Sequence, residues 1–228
     1  SAAAVDALEP SWEARVGSRR LRCAPGPDGD AELRVGERVI RAERISLLRW
    51  RGAAAADLDR DERPEAVVAA WEGRRCTLWW IEAAGAPVEL PGRHSERARF
   101  EDRDGDGRVE LVTREECLRG WRGASEADTL SVELILERGE AGWYRRPGTR
   151  PSDEELSERA TALRGQGERA LLAALLELHA QGHADALPGF LATAWPERSD
   201  ARARFAHELA AHLQASPYEN APRIAASR

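Results

Sequence analysis

The sequence predicts an α+β fold, in which an antiparallel β-rich part of residues 1–148 precedes a small helical part of residues 152–217. Short β-prone runs separated by Gly, Pro and Asp turns fill the first part. A Pro-Gly linker at 147–151 marks the change of pattern, and apolar side chains recur at helical spacing after it. Residues 218–228 are expected to form a tail.

The β-prone runs are short, and most end at a turn-forming sequence. Residues 130–136 partly alternate between apolar and polar side chains, as a strand buried on one face does. Residues 115–123 fit either a short helix or a bulge. The predicted strands are residues 21–23, 32–35, 38–41, 66–71, 76–81, 87–90, 109–113, 130–136 and 142–145.

Four helices are predicted after the linker. Ser152 and Glu155 form a capping box that opens the first helix. The second covers residues 168–181, carries five leucines and ends at Gly182. The third runs from about 185 to 195, and the fourth begins after Ser199 and ends before Pro217.

Two acidic segments, which begin 45 residues apart, repeat one spacing of carboxylates. Residues 57–65 carry a net charge of −3, residues 101–110 carry the same, and together they match the net −6 of the chain. A cation of the size of Ca²⁺ prefers six to eight oxygen ligands, which alternating carboxylates in a tight loop supply. The side chains at positions 1, 3, 5 and 9 are Asp57, Asp59, Asp61 and Glu65, then Asp102, Asp104, Asp106 and Glu110.

The flanking sequence excludes an EF-hand. That loop needs a glutamate at position 12 and a helix on each side, whereas Val68 and Thr113 stand at position 12 here and β-prone runs follow. Each acidic loop lies between two predicted strands and has its last carboxylate at position 9. This arrangement resembles the calcium loops of integrin-type FG-GAP and VCBS repeats. The alternative is a pair of ordinary polar hairpin turns.

The resemblance implies that bound Ca²⁺ stabilises β-hairpins similar to those in the blades of a β-propeller. Two copies are too few for a closed propeller, which needs at least four blades. Gly107 supplies the turn at position 6 of the second loop, whereas Glu62 at this position is expected to impair the first. The implied ligands are Asp57, Asp59, Asp61, the Arg63 carbonyl, Glu65, Asp102, Asp104, Asp106, the Arg108 carbonyl and Glu110.

Composition limits the remaining classes of function. A hydrophobic fraction of 42% with eight tryptophans is typical of a globular protein. The sequence contains no run of about 18 apolar residues, so it predicts no membrane span. It also contains no basic cluster with interleaved aromatic residues, so it predicts no nucleic-acid partner. All 34 positive charges are arginines, so the chain lacks the lysine of phosphate-loop or Schiff-base chemistry.

An extracytoplasmic location, periplasmic or secreted, is expected for a bacterial protein with low-affinity calcium sites. The chain contains no Met and opens at Ser1, which we interpret as a processed product without its signal peptide. Three cysteines permit one disulfide in three pairings, with Cys76 to Cys117 as first choice and Cys23 left over. Three buried thiols are the alternative.

No catalytic residue is assigned. His179 and His183 have the spacing of a zinc pair, but Gly182 ends the helix between them. His207 and His212 are one residue too far apart for a zincin motif. Adjacent Trp79 and Trp80 on a strand point to opposite faces, which leaves two alternatives. Either one of these tryptophans is exposed to a ligand, or such residues fill the core or the seam with the helices. The tryptophans considered are Trp71, Trp79, Trp80, Trp121 and Trp143.

The preferred functional hypothesis is a calcium-stabilised, non-catalytic module that recognises a protein or a cell-envelope glycan. The alternative is a secreted hydrolase with structural calcium and a site between the β and helical parts. The Trp195-Pro196 and Ser216-Pro217-Tyr218 pattern of the helical part resembles a segment of bacterial exported proteins, and this resemblance brings no activity with it. The oligomeric state stays open.

Overall fold

A computed structural model confirms the α+β class, with three sheets followed by four α-helices among the residues it describes. Pro217 and the predicted tail beyond Tyr218 lie outside that part of the chain. No helix in it is both long enough and apolar enough to cross a membrane. The described residues are 11–92, 94–95, 97–123, 129–139, 142–197, 199–216 and 218.

The first sheet is an antiparallel meander of four strands in chain order. Alternate residues point inward, and Val16, Leu21 and Leu33 are completely buried. Polar side chains, many of them arginines, cover the outer face. The strands are β1 (Trp12–Val16), β2 (Arg19–Pro25), β3 (Ala31–Val35) and β4 (Arg38–Ala42).

The second sheet supplies the buried centre of the β part. Seven of the eight residues of its second strand are buried, because other side chains cover both faces of the sheet. The strands are β5 (Arg44–Leu48), β6 (Glu65–Glu72), β7 (Arg75–Glu82) and β8 (Val88–Glu89), with β9 (His94–Ser95) paired to the start of β7.

Of the two alternatives for the tryptophans of β7, the structure confirms burial in the core. Trp79 and Trp80 point to opposite faces as predicted, but they are only 8% and 1% exposed. Trp79 packs into the core shared with the first sheet, and Trp80 lies 5.2 Å from Trp143 between ring centroids. Trp71, Trp121 and Trp143 are buried as well.

The third sheet has the order β10 (Arg99–Glu101), β11 (Glu110–Glu115), β12 (Val132–Gly139) and β13 (Gly142–Arg145). The described residues within 1–113 and 137–143 form one compact unit, and those within 114–136 and 144–218 form the other. Residues 114–136 therefore join the helical unit, although the sequence places them in the β part. Leu118 and Trp121, beside a 3-10 turn at Trp121–Gly123, pack into its helical core.

Four α-helices complete the second unit, close to their predicted bounds. Ser152 accepts a hydrogen bond from the Glu155 N–H and the Glu155 side chain accepts one from the Ser152 N–H, which confirms the capping box. Ser199 caps the last helix. The helices are α1 (Asp153–Ala162), α2 (Glu168–Ala180), α3 (Leu187–Ala194), which follows a 3-10 turn at Ala184–Ala186, and α4 (Asp200–Gln214).

The predicted disulfide between Cys76 and Cys117 is wrong, because Cys23, Cys76 and Cys117 are all free thiols. Cys23 and Cys76 are buried on strands of the β part. Burial raises the pKa of the Cys23 thiol to about 11, which keeps it protonated and unreactive at neutral pH.

His94 makes the stability of the fold depend on pH. Its ring is buried and its Nδ1 lies 2.8 Å from the Thr113 hydroxyl. Burial lowers the pKa of His94 from 6.5 to about 4. The native state therefore resists protonation while the unfolded chain accepts the proton, so stability present above pH 6.5 is lost as the pH falls toward 4.

We predict that a His94→Asn variant loses about 2 kcal/mol less stability than the wild-type protein between pH 7.5 and pH 5. Urea unfolding of both proteins at the two pH values measures this difference. Equal losses in the two proteins would show that His94 does not titrate in this range on unfolding.

Candidate metal-binding loops

Both acidic loops connect backbone segments that pair in the same register. In the first loop, Ala56 and Glu65 exchange two backbone hydrogen bonds of 3.0 and 2.8 Å. In the second, Glu101 pairs with Glu110 at the start of β11. In each repeat, the residue before position 1 therefore lies opposite position 9, and the eight residues between them form the loop.

The backbone turns in the same way at positions 4 and 6 of each loop. Arg60 and Glu62 have φ angles of 62° and 68°, and Gly105 and Gly107 have φ angles of 78° and 86°. Glu62 therefore does not change the geometry of the first loop, because it adopts the same left-handed conformation as Gly107. Each non-glycine residue in that conformation costs roughly 1–2 kcal/mol, so the first loop is the more strained.

Aspartates at positions 3 and 5 hold the two loops in shape through the same hydrogen bonds. In each loop, the N–H of position 5 donates to the carboxylate of position 3, and the N–H of position 7 donates to the carboxylate of position 5. The first loop has the bonds Asp61 to Asp59 (3.3 Å) and Arg63 to Asp61 (2.9 Å). The second has Asp106 to Asp104 (3.1 Å) and Arg108 to Asp106 (2.7 Å).

Four carboxylates converge in the first loop. One oxygen from each lies within 4.8 Å of the others, and oxygens bound to one Ca²⁺ at 2.3–2.6 Å are separated by no more than about 5 Å. Glu65 is 1% exposed, and its Oε2 accepts the Leu58 N–H at 2.8 Å. The group fits a calcium ion and consists of Asp57, Asp59, Asp61 and Glu65.

The electrostatics of this group favour a bound cation. Burial, together with the charges of three aspartates, raises the pKa of Glu65 to about 8. Burial and the charge of Asp61 also raise the pKa of Asp59. The guanidinium of Arg138, 3.9 Å from Asp59, opposes this rise. Without a metal, the group thus binds a proton that a divalent cation would displace.

The second loop brings together three of its four predicted carboxylates, Asp102, Asp104 and Asp106, within 4.8 Å. Glu110 lies outside this group. Its Oε2 accepts the Arg103 N–H at 2.8 Å, which matches the bond from Leu58 to Glu65 in the first repeat. The Arg63 and Arg108 carbonyls stay predicted ligands at position 7.

The two loops touch each other. The Val109 N–H donates to the Leu58 carbonyl at 2.9 Å. The guanidinium of Arg60 lies so close to Gly107 that a Cβ at this glycine would overlap with it. These contacts and the Arg138 ion pair were not predicted, because nothing in the local pattern of either loop encodes them.

The histidines considered for zinc belong to neither metal-binding group. His179 is buried in α2, whereas His183 follows Gly182 and lies 3.3 Å from the Thr149 carbonyl. On α4, His207 is exposed, and the Nδ1 of His212 lies 3.1 Å from the Cys117 carbonyl.

We predict that Glu65→Gln stabilises the metal-free protein at pH 8 by about 2–4 kcal/mol and has little effect at pH 4.5. Because the pKa of Glu65 is raised in the native state, protonation of this side chain stabilises the fold fully below pH 4.5. This contribution is lost as the pH rises through about 8. Urea unfolding in a chelator measures the change.

Glu62→Gln is the matched control for this variant. It makes the same change of charge in the same loop, but at an exposed side chain outside the carboxylate group. If both variants shifted stability equally at pH 8, the effect would come from loop charge in general and not from the buried position of Glu65.

No protein-family model matches this chain, and neither a curated protein nor a solved structure matches it. The resemblance of the loops to FG-GAP and VCBS repeats therefore stays a prediction. The structure shows that the two loops of this chain share one backbone geometry.

Proposed function

We propose that the protein is a calcium-binding, non-catalytic module of the bacterial periplasm or exterior, which recognises a protein or a cell-envelope glycan. The observation that carries the calcium assignment is the position of Glu65, buried at the base of a loop and within 4.8 Å of three aspartates. A carboxylate in this place is costly to ionise unless a cation neutralises the group.

The donor set favours Ca²⁺ over other biological metals. Every side chain in both groups offers carboxylate oxygen, whereas zinc sites favour cysteine and histidine. Mg²⁺ demands a near-ideal octahedron at 2.0–2.1 Å and keeps several of its waters, so it is less suited to a loop that offers several carboxylates. Ca²⁺ accepts flexible geometry and six to eight oxygens.

Bound calcium would fix the base of the β-hairpins. Glu65 is the first residue of β6 and belongs to the carboxylate group of the first loop, so an ion on that loop is tied directly to a strand. Micromolar or weaker sites are well filled outside the cytosol, where calcium is abundant, which is why we propose an extracytoplasmic location.

The location of the acidic groups favours a recognition module over the alternative, a secreted hydrolase. A hydrolase needs a convergent set of acid and base groups in a cleft, whereas both groups of clustered acidic side chains in the described chain lie on the loops. Trp71, Trp79, Trp80 and Trp143 of the β part are buried, so recognition would not use these four as an exposed platform.

We predict that calcium, but not magnesium, raises the melting temperature relative to a chelator. One site stabilises the fold by about 1.4 kcal/mol at a calcium concentration ten times its dissociation constant. Asp104→Ala should remove the contribution of the second loop. Differential scanning calorimetry of the whole chain measures both effects.

Asp28→Ala provides the control, since Asp28 is an exposed aspartate in a turn outside both loops. It should retain the full calcium response. No response to calcium in the wild-type protein would leave the loops as ordinary polar turns and would contradict the proposed function.

A further inference from the structure

A cleft of about 340 Å³ lies between the first and second sheets. Strand β4 is an edge strand, and its residues 38–42 form one wall. Thr77 and Trp79, two residues apart on β7, form the floor, while Glu72 and Glu89 lie at the rim. This volume falls at the lower end of the range of small-molecule sites, which is roughly 300–1,000 Å³.

Arg38 is held in place on the wall of this cleft. Its guanidinium carbon lies 4.6 Å from the centroid of the Trp79 ring, which is a cation–π contact. No carboxylate pairs with Arg38 among the described residues, whereas the neighbouring Arg41 is paired with Glu32 at 3.1 Å. A stacked guanidinium keeps its N–H donors in the plane of the group, where they can bind a carboxylate at two points.

Three further groups of the cleft can contribute to a ligand site. Glu89 lies opposite Trp79 in the pairing of β7 with β8 and offers a hydrogen-bond acceptor. Thr77 offers a hydroxyl, and the buried indole N–H of Trp79 has no acceptor in the described chain.

We propose that this cleft binds an acidic sugar unit of a glycan, with Arg38 on the sugar carboxylate and with Thr77 and Glu89 on its hydroxyls. Arg41 is already paired with Glu32, so Arg38 is the guanidinium of the cleft that is offered to one sugar carboxylate.

This inference rests on the proposed function as a glycan-recognising module and names its ligand class and site. The test is calorimetric titration of the full chain with digalacturonate, with its neutral counterpart galactobiose and with a zwitterionic dipeptide. Each titration is performed in calcium and in a chelator.

We expect digalacturonate to bind more tightly than galactobiose. Arg38→Gln should weaken digalacturonate binding about 10- to 100-fold, because it removes charge-assisted hydrogen bonds, and should leave galactobiose binding unchanged. Thr77→Val should weaken both sugars about 3- to 10-fold, since both offer hydroxyls. Arg15→Gln is the matched control, because Arg15 is an exposed arginine on β1, at the opposite edge of the sheet.

Equal binding of the two sugars, an equal loss in Arg38→Gln and Arg15→Gln, or a preference for the dipeptide would overturn the proposal. Absence of digalacturonate binding in calcium, with a normal calcium response in melting, would overturn the cleft proposal while the calcium module stands. Arg38-dependent binding without any calcium response would support the cleft and contradict the calcium assignment.

Discussion

Repulsion among carboxylates at the start of β6 is the constraint on which the rest of this account depends. Glu65 is almost completely buried and lies within 4.8 Å of oxygens from three aspartates. A proton or a metal ion must offset that charge, and the pKa of Glu65, raised to about 8, means that a proton does so when metal is absent. A divalent cation offsets it better, since it neutralises several carboxylates at once.

The same constraint links the two loops and the hairpins beneath them. Position 9 of each loop is the first residue of a strand, and the Val109 N–H bonds to the Leu58 carbonyl between the loops. The acidic repeat therefore forms one continuous structure of two touching loops on two hairpins. A change of charge in the first loop acts on a segment in direct contact with the second.

Local signals were sufficient to predict the acidic repeat, the helix caps and the apolar strands. The alternating aspartates specify their own loop, because each accepts a backbone N–H two residues on. Non-local packing was not predictable in the same way. Strands β1 and β5 were missed, since Trp12–Val16 mixes charged and small residues and Arg44–Leu48 gains its strand character from pairing with β6. The burial of Trp79 depends on the first sheet, and Arg138 reaches Asp59 from β12.

The most direct test of the account is a crystal structure grown with ample calcium, with anomalous scattering used to locate the metal. We predict one ion in each loop, bound by carboxylates at positions 1, 3 and 5 and, in the first loop, by Glu65, with oxygen distances of about 2.3–2.6 Å. Ordered water alone between these carboxylates, or aspartate side chains turned away from one another, would contradict the account.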